Sequence, residues 1–568
     1  MRVTPARKHN CSRTWRSLGV SALAVVLCSQ SGSAQQATPP TASTGDTLVR
    51  THHQIVVGGR ILKYTAVAGL LPIIDNDAGQ VHARMFFVAY TLDGPRARSR
   101  PLTFLWNGGP GSSSSQVHVL GFGPRRLKTA DTYPTKPYLT GPELQDNQET
   151  WLDESDLVFV DPVGTGYSRP TRPEYAAEFY NQQGDIESVA EFIRVYRTRF
   201  DTFDAPLILA GESYGVTRAM GVAEALERRR TIVTGVILIS NGIQIGQVVP
   251  SEINTALIVP RLTAAAFYHK RLAPDLQENL DATVKKSEAW ARNEYAPALA
   301  RRDSLTPAER SAVMSQLLRF TGVDSTIVDA KTLAIQPTVF TNRLLRDQHL
   351  ELGRYDTRMT TSWSQDTAAF DPRTDASLRP VLDLMLGTSV PLIRYLRDDL
   401  GFKSDLLYQG PFGEGYPPAA TERGDWMSQR WNRGNQPAPG ATPAGAPPAA
   451  NQAGEAQAGG GRGGAAGGRG GGRGGNTAGG RAGSGRPPLR IAMDIDPRLR
   501  VLVLGGLYDT VVQTCSSIDE AIARLDASIR SRIGDRCYAG GHMMYTDKDV
   551  RRDIKRDVAA FMRAALTP

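Results

Sequence analysis

The chain has 568 residues, 40% of them apolar and 22% charged, a globular composition large enough for one domain with insertions or for two domains. Its net charge of +9 is concentrated in two stretches. Residues 1–34 carry five basic side chains and no acid, and residues 434–488 carry five arginines against Glu455, so the remainder is balanced and gives no ground for an anionic partner of the folded part.

In chain order, the first element is a secretory signal. Arg2, Arg7, Lys8, Arg13 and Arg16 precede an apolar run at 18–28, and Ser31-Gly-Ser-Ala34 offers small residues for cleavage, so residues 1–34 are expected to be removed. The run is too short to span a bilayer comfortably. Lipid attachment at Cys28 is disfavoured by the bulky Leu27 before it. The mature protein is therefore expected in the periplasm or outside the cell, without stable membrane insertion. Export places Cys515 and Cys537 in an oxidising space and predicts a disulfide between them, with two buried thiols as the alternative. No CxxC or paired-histidine spacing suggests zinc.

Residues 35–54 read as a linker and 55–249 as the first part of an α/β core. Apolar runs at 84–90, 102–106, 157–160, 207–210 and 236–240, bounded by polar, Gly or Pro residues, read as buried strands. With a helix at 186–200 they imply a mainly parallel sheet covered on both faces, the first two runs forming an antiparallel edge. Residues 250–412 interrupt this pattern with helical segments, 272–299 and 308–320 among them, and read as an inserted cap. Residues 413–433 return to the core. The Gly/Ala/Pro/Arg-rich stretch 434–488 has too little apolar surface to offset ordering entropy and reads as a disordered insertion. Its GGRGG units resemble RNA-binding segments, but in an exported chain a solvated, flexible insertion is favoured and no nucleic-acid partner is expected. Residues 489–568, with a strand at 500–504, complete the core.

The chemistry concentrates at Gly211-Glu-Ser213-Tyr-Gly215, a G-x-S-x-G turn between an apolar strand and a helix expected at 216–229. Such a turn strains the serine and projects its hydroxyl above the sheet beside the helix N-terminus. A serine hydroxyl needs a base. Three histidines follow Ser213. His542 lies in a late Gly-rich loop, His269 on a cap helix, and His349 in a polar stretch, so His542 is the candidate. The acid should follow a strand that precedes His542. Asp509 ends the run Val501-Leu-Val-Leu-Gly-Gly-Leu-Tyr-Asp509, Asp494 and Asp496 lie before that strand, and Asp535 is the second choice. An oxyanion needs two converging N–H groups: Tyr214 supplies one, and the turn Asn107-Gly-Gly-Pro-Gly-Ser-Ser-Ser-Ser115 after the strand at 102–106 suits the other. That turn lacks the lysine and full glycine spacing of a phosphate loop.

Together, Trp106-Asn-Gly-Gly-Pro-Gly-Ser-Ser113, Val160-Asp-Pro-Val-Gly-Thr-Gly-Tyr-Ser168, the Gly211 to Gly215 pentapeptide and the Asp509 and Gly541-His542 segments resemble the serine carboxypeptidases. The resemblance implies an α/β-hydrolase fold, Ser213, Asp509 and His542 as triad, and Gly109 and Tyr214 N–H groups as oxyanion hole. It implies that Asn107 and Glu212 bind the substrate's terminal carboxylate, so Glu212 must be protonated there and peptide cleavage is favoured by acid. It implies peptide or protein C-termini as substrates and no metal or organic cofactor. Two positions depart from the pattern. Gly121 stands where the family often has an acid that pairs with the pentapeptide glutamate, and Ser112 stands in place of a cysteine. Gly121 leaves room for an esterase or acyltransferase on the same scaffold. A polyanion-binding role for the Gly/Arg stretch is the reading from another class, disfavoured by the intact Ser, Asp and His candidates.

Overall fold

The computed structural model describes residues 48–94, 100–128, 144–246, 249–363, 374–411 and 486–567, all within one unit, Asp46–Pro568. The expected signal (1–34), the return segment (413–433) and nearly all of the Gly/Arg-rich stretch (434–488) lie outside the described residues.

The fold is the α/β-hydrolase fold, built on one mixed, mostly parallel sheet. In chain order its strands are β1 (Leu48–Val57), β2 (Arg60–Asp75), β3 (Gln80–Leu92), β4 (Leu102–Trp106), β5 (Asp156–Val160), β6 (Leu207–Glu212), β7 (Gly235–Ile239), β8 (Arg500–Gly506) and β9 (Ile533–Tyr538). They lie in the order β1-β2-β3-β5-β4-β6-β7-β8-β9, with the short strand Arg169–Pro170 also paired to β3. Pairing is antiparallel from β1 through β5 and parallel from β5 onward. The strands from β4 to β8 are buried along nearly their whole length, which is why they read as unbroken apolar runs.

Helices α1 (Gln182–Phe200), α2 (Tyr214–Arg228), α3 (Pro488–Ile495), α4 (Cys515–Ala523) and α5 (Lys548–Leu566) cover the sheet. Side chains alternate along each strand. Val236, Leu238, Val501 and Val503 therefore join Phe192, Met220 and Met493 of α1, α2 and α3 on one face. Ile237, Ile239, Leu502 and Leu504 join Val119, Leu120 and Ile554 on the other. The expected disulfide, Cys515–Cys537, ties the first residue of α4 to β9. Among the described residues no helix is long and apolar enough to cross a membrane.

Three expectations are corrected. The runs at 84–90 and 102–106 are not neighbours: β5 lies between β3 and β4, and the antiparallel edge is made by β1, β2 and β3. Strand β1 begins at Leu48, inside the stretch read as linker, because its edge position lets exposed Arg50, His52 and Gln54 alternate with half-buried Thr51 and His53. The inserted cap is also shorter than 250–412. A separate apolar cluster built on Leu262, Trp290, Tyr295, Phe320 and Phe340 ends at Leu352. From Leu378 onward the apolar residues instead join the main core, where Phe402 packs 4.7 Å from Phe86 and Tyr408 5.0 Å from Tyr167. Helical periodicity reports that a face is buried, not which surface it is buried against.

Candidate active site

Strand β6 ends at Glu212 and α2 starts at Tyr214, so the chain reverses at Ser213 itself, with φ 59° and ψ −128°. A non-glycine residue holds such a conformation only where its surroundings over-determine it. Here Ser213 N–H donates to Ile239 O at 2.8 Å, and Asn241 Nδ2 donates to Ser213 O at 3.0 Å. The turn also closes because a Cβ on Gly211 would lie 2.0 Å from Gly215 O. Ser213 is only partly buried.

Asp509 and His542 follow the adjacent parallel strands β8 and β9, and both are buried. His542 Nδ1 lies 2.7 Å from Asp509 Oδ2, while Val511 N–H donates to Asp509 Oδ1 at 2.8 Å. The carboxylate thus holds the ring proton on Nδ1 and leaves Nε2 as the basic nitrogen. Ser240 Oγ, beyond β7, donates to His542 O at 2.5 Å. Nε2 lies 3.5 Å from Oε1 of Glu212, the residue before Ser213. No hydrogen bond among the described residues joins Ser213 Oγ to the ring. The other candidates lie elsewhere. Asp535 is bonded to Asp519, Asp494 pairs with Arg486 and Arg490, and Asp496 pairs with Arg498. His269 Nε2 sits 2.7 Å from Thr357 O, and His349 is exposed.

The turn after β4 lies directly against the serine turn. A Cβ on Gly108 would stand 2.4 Å from Tyr214 N, so only glycine permits this close approach of the two turns. Asn107 is fully buried, and its orientation is fixed at both ends. Its Oδ1 accepts Val117 N–H at 3.0 Å, which leaves Nδ2 to donate to Glu212 Oε2 at 2.9 Å. Gly108 N–H also donates to the Glu212 carboxyl. On the far side, Asp161 Oδ1 accepts both Ser114 N–H at 2.8 Å and Ser114 Oγ–H at 2.7 Å.

Electrostatically, Glu212 and His542 are one unit. Burial pushes the Glu212 carboxyl above its ordinary range, while the imidazole and Asn107 pull it down. Burial alone would lower His542, but the Asp509 carboxylate and then Glu212 raise it to about 9. A proton on either one disfavours a proton on the other, so the two titrations are coupled.

Three contributors escaped the sequence reading. Tyr545 is buried, its ring 3.4 Å from where a Cβ on Gly121 would be and its hydroxyl 3.5 Å from Asn107 Nδ2. The ring thus fills space beside the missing acid. The Tyr355 ring stands edge-on to His542, with centroids 5.2 Å apart. Arg218 is fully buried in α2. Its Nε donates to Asp185 Oδ2 at 2.8 Å, its Nη1 to Asn107 O at 2.7 Å, and its guanidinium lies 5.3 Å from the Tyr214 ring. The available signal was one charge inside the small, apolar run Val216-Thr-Arg-Ala-Met-Gly-Val222. Removing one partner of a buried pair strands the other, so Arg218→Met or Asp185→Asn is expected to cost about 3–5 kcal/mol in urea unfolding. A loss below ~1 kcal/mol would contradict that role.

A family model described as serine carboxypeptidase matches residues 62–350, just over half of the 568 residues. The pheromone-processing carboxypeptidase kex1 of Aspergillus terreus is 30% identical over 170 residues, 28% of this chain and 24% of that protein. Its counterpart in Tuber melanosporum is 31% identical over 168 residues, 28% of this chain and 24% of that protein. The match therefore spans about a quarter of the length of these curated relatives. Among solved structures, the proline iminopeptidase of Mycobacterium smegmatis aligns over 88% of this chain and 98% of its own at 12% identity, with a TM-score of 0.29, too slight a likeness to bear on the chemistry.

Proposed function

The chain belongs to the serine carboxypeptidase family, and from that premise we propose that it is an exported serine carboxypeptidase that removes C-terminal residues through an acyl-enzyme. The observation that carries this reading is the convergence on one turn of two functions. The His542–Asp509 pair, 2.7 Å apart, faces that turn from one side, and the Asn107–Glu212 pair, 2.9 Å apart, is built into it.

In this reading Ser213 Oγ attacks the carbonyl of the last peptide bond and passes its proton to His542 Nε2. Asp509 stabilises the imidazolium, and the Gly109 and Tyr214 N–H groups receive the carbonyl oxygen as it becomes anionic. Collapse breaks the C–N bond, and His542 returns the proton to the leaving amine. Water then attacks the ester by the same route and restores Ser213. Asn107 and a protonated Glu212 donate to the free carboxylate of the departing residue. That selects the terminal bond, because only there does a carboxylate stand one residue beyond the scissile carbonyl. The basic, apolar N-terminus and the Cys515–Cys537 disulfide support export to an oxidising compartment.

Mass spectrometry of matched peptides with free and amidated C-termini tests the reading. Stepwise shortening from the C-terminus of the free acids is expected, with amidated partners cut far more slowly. Internal cleavage, or turnover of esters alone, would overturn it. The second outcome would favour an esterase or acyltransferase, a reading supported by Gly121 and by Tyr545 occupying the space beside it.

The pH dependence follows from the proton on Glu212. The Glu212 carboxyl is raised by burial, so it is protonated below that raised value and loses its donor proton as pH rises through it. kcat/KM for free-acid peptides is therefore expected to fall over that window while ester turnover persists. Glu212→Gln keeps a neutral donor and removes the charge facing Nε2. It should abolish the fall and shift the acid limb, set by His542, to lower pH. Parallel pH profiles for peptide and ester in wild type would contradict the assignment.

A further inference from the structure

Strands β8 and β9 deliver Asp509 and His542 to one end of the sheet, where Leu507 N–H donates to Tyr538 O and Tyr508 N–H to Gly540 O, each at 2.9 Å, and a third segment adds further bonds to both loops. The segment 353–358, which leaves the cap's apolar cluster at Leu352, runs against both of them. Toward the acid turn, Thr357 N–H and Oγ1–H both donate to Tyr508 O, at 3.0 and 3.2 Å. Thr510 N–H and Oγ1–H both donate to Arg354 O, at 3.2 and 2.6 Å. Toward the base loop, His542 N–H donates to Tyr355 O at 2.6 Å, and Arg358 Nη1 donates to Ala539 O at 2.8 Å. A Cβ on Gly541 would lie about 2.5 Å from both Tyr355 O and Asp356, so the base loop has no room to slide. The segment is itself fixed. Arg354 N–H donates to Asp375 Oδ2 and Tyr355 N–H to Ser377 Oγ, each at 3.0 Å, and His269 from the cap meets Thr357 O at 2.7 Å.

We propose that residues 353–358 form a positioning strap whose successive carbonyls, Arg354 O and Tyr355 O, set the acid turn and the base loop at the separation that keeps Asp509 on His542 Nδ1. The proposal rests on the reading of Asp509 and His542 as acid and base. The strap makes the cap a brace of the catalytic pair and not a free lid, because shifting its attachment would pull on both loops beyond the point where Leu507 and Tyr508 hold them together. The bonds from Thr510 Oγ1 and Thr357 Oγ1 can each be removed by a single, nearly isosteric substitution that touches neither catalytic side chain.

The test compares Thr510→Val with Thr510→Ser, and Thr357→Val as a second site on the same strap. Two readouts are needed: kcat and KM on a free-acid peptide, and the low-field proton resonance of His542 Nδ1–H, recorded in both wild-type and Ser213→Ala backgrounds. Thr510→Val is expected to lower kcat about 10- to 100-fold with KM little changed, as a small misplacement of reacting groups does. The resonance should move upfield and broaden, Thr510→Ser should restore both, and Thr357→Val should repeat the loss. If both valine variants keep wild-type kcat and an unshifted resonance, the strap is overturned. The resonance does not depend on turnover, so a chain with no peptidase activity at all would sink the proposed function while the spectrum still decided the strap.

Discussion

Replacing Ser213 with alanine is expected to lower kcat on a free-acid peptide by about 10⁶-fold, with KM changed little. In the proposed mechanism the hydroxyl forms the acyl-enzyme, and no neighbouring side chain in the described site is placed to replace it. Glu212 is next in the chain, but it is buried and bonded by Asn107 and Gly108. The residual rate should come from the oxyanion donors and from carboxylate binding, which survive the substitution. Ser213→Ala with His542→Ala should then be scarcely worse than Ser213→Ala alone, since an unused base contributes nothing. Stopped-flow detection of the acylation burst measures this directly. A variant that keeps even a tenth of the wild-type burst would remove Ser213 from the mechanism.

Asp509→Asn is expected to cost about 10⁴-fold in kcat with the fold intact. The amide has nearly the same shape, and its oxygen can still accept Val511 N–H, now met at 2.8 Å by Oδ1. What changes is the proton on the ring. An amide NH2 facing Nδ1 donates to it, so the neutral imidazole must carry its hydrogen on Nε2. That hydrogen points toward Glu212 Oε1, 3.5 Å away in the native arrangement, and the ring can no longer accept from Ser213. The Asp509 charge is also the largest influence that raises His542, so the variant's acid limb should move to lower pH. Buried Arg261, whose Nη1 donates to Asp509 O and Val512 O, should keep the turn in place. A pH profile of single-turnover acylation, checked against an unchanged thermal melt, decides the matter. A loss of less than tenfold would show that the carboxylate does not set the tautomer.

Much of this was written locally. The strands from β4 to β8 are apolar runs closed by turn residues, because a strand buried on both faces has no polar position to spare. Strand β9, Ile533–Tyr538, carries Gly534, Asp535, Arg536 and Cys537, and escaped because an edge strand with a wet face lacks that signature. β1 escaped for the same reason. The order of strands was not legible either, since β5 enters between β3 and β4 through pairings that no local pattern encodes.

By itself the sequence determined the parts: a strained serine turn, a late histidine, a carboxylate after a strand, and a glycine-rich loop, each recognisable because its own backbone demands those residue types. Only the tertiary structure decided how they act on one another. It placed Glu212 opposite Nε2, sat Arg218 beneath the Asn107 carbonyl, laid the Tyr545 ring beside Gly121 and ran residues 353–358 against both the Asp509 and His542 loops. Those relations join positions more than a hundred residues apart. Their strength depends on burial and on distances set by packing of the whole chain, quantities that no window of neighbouring residues contains.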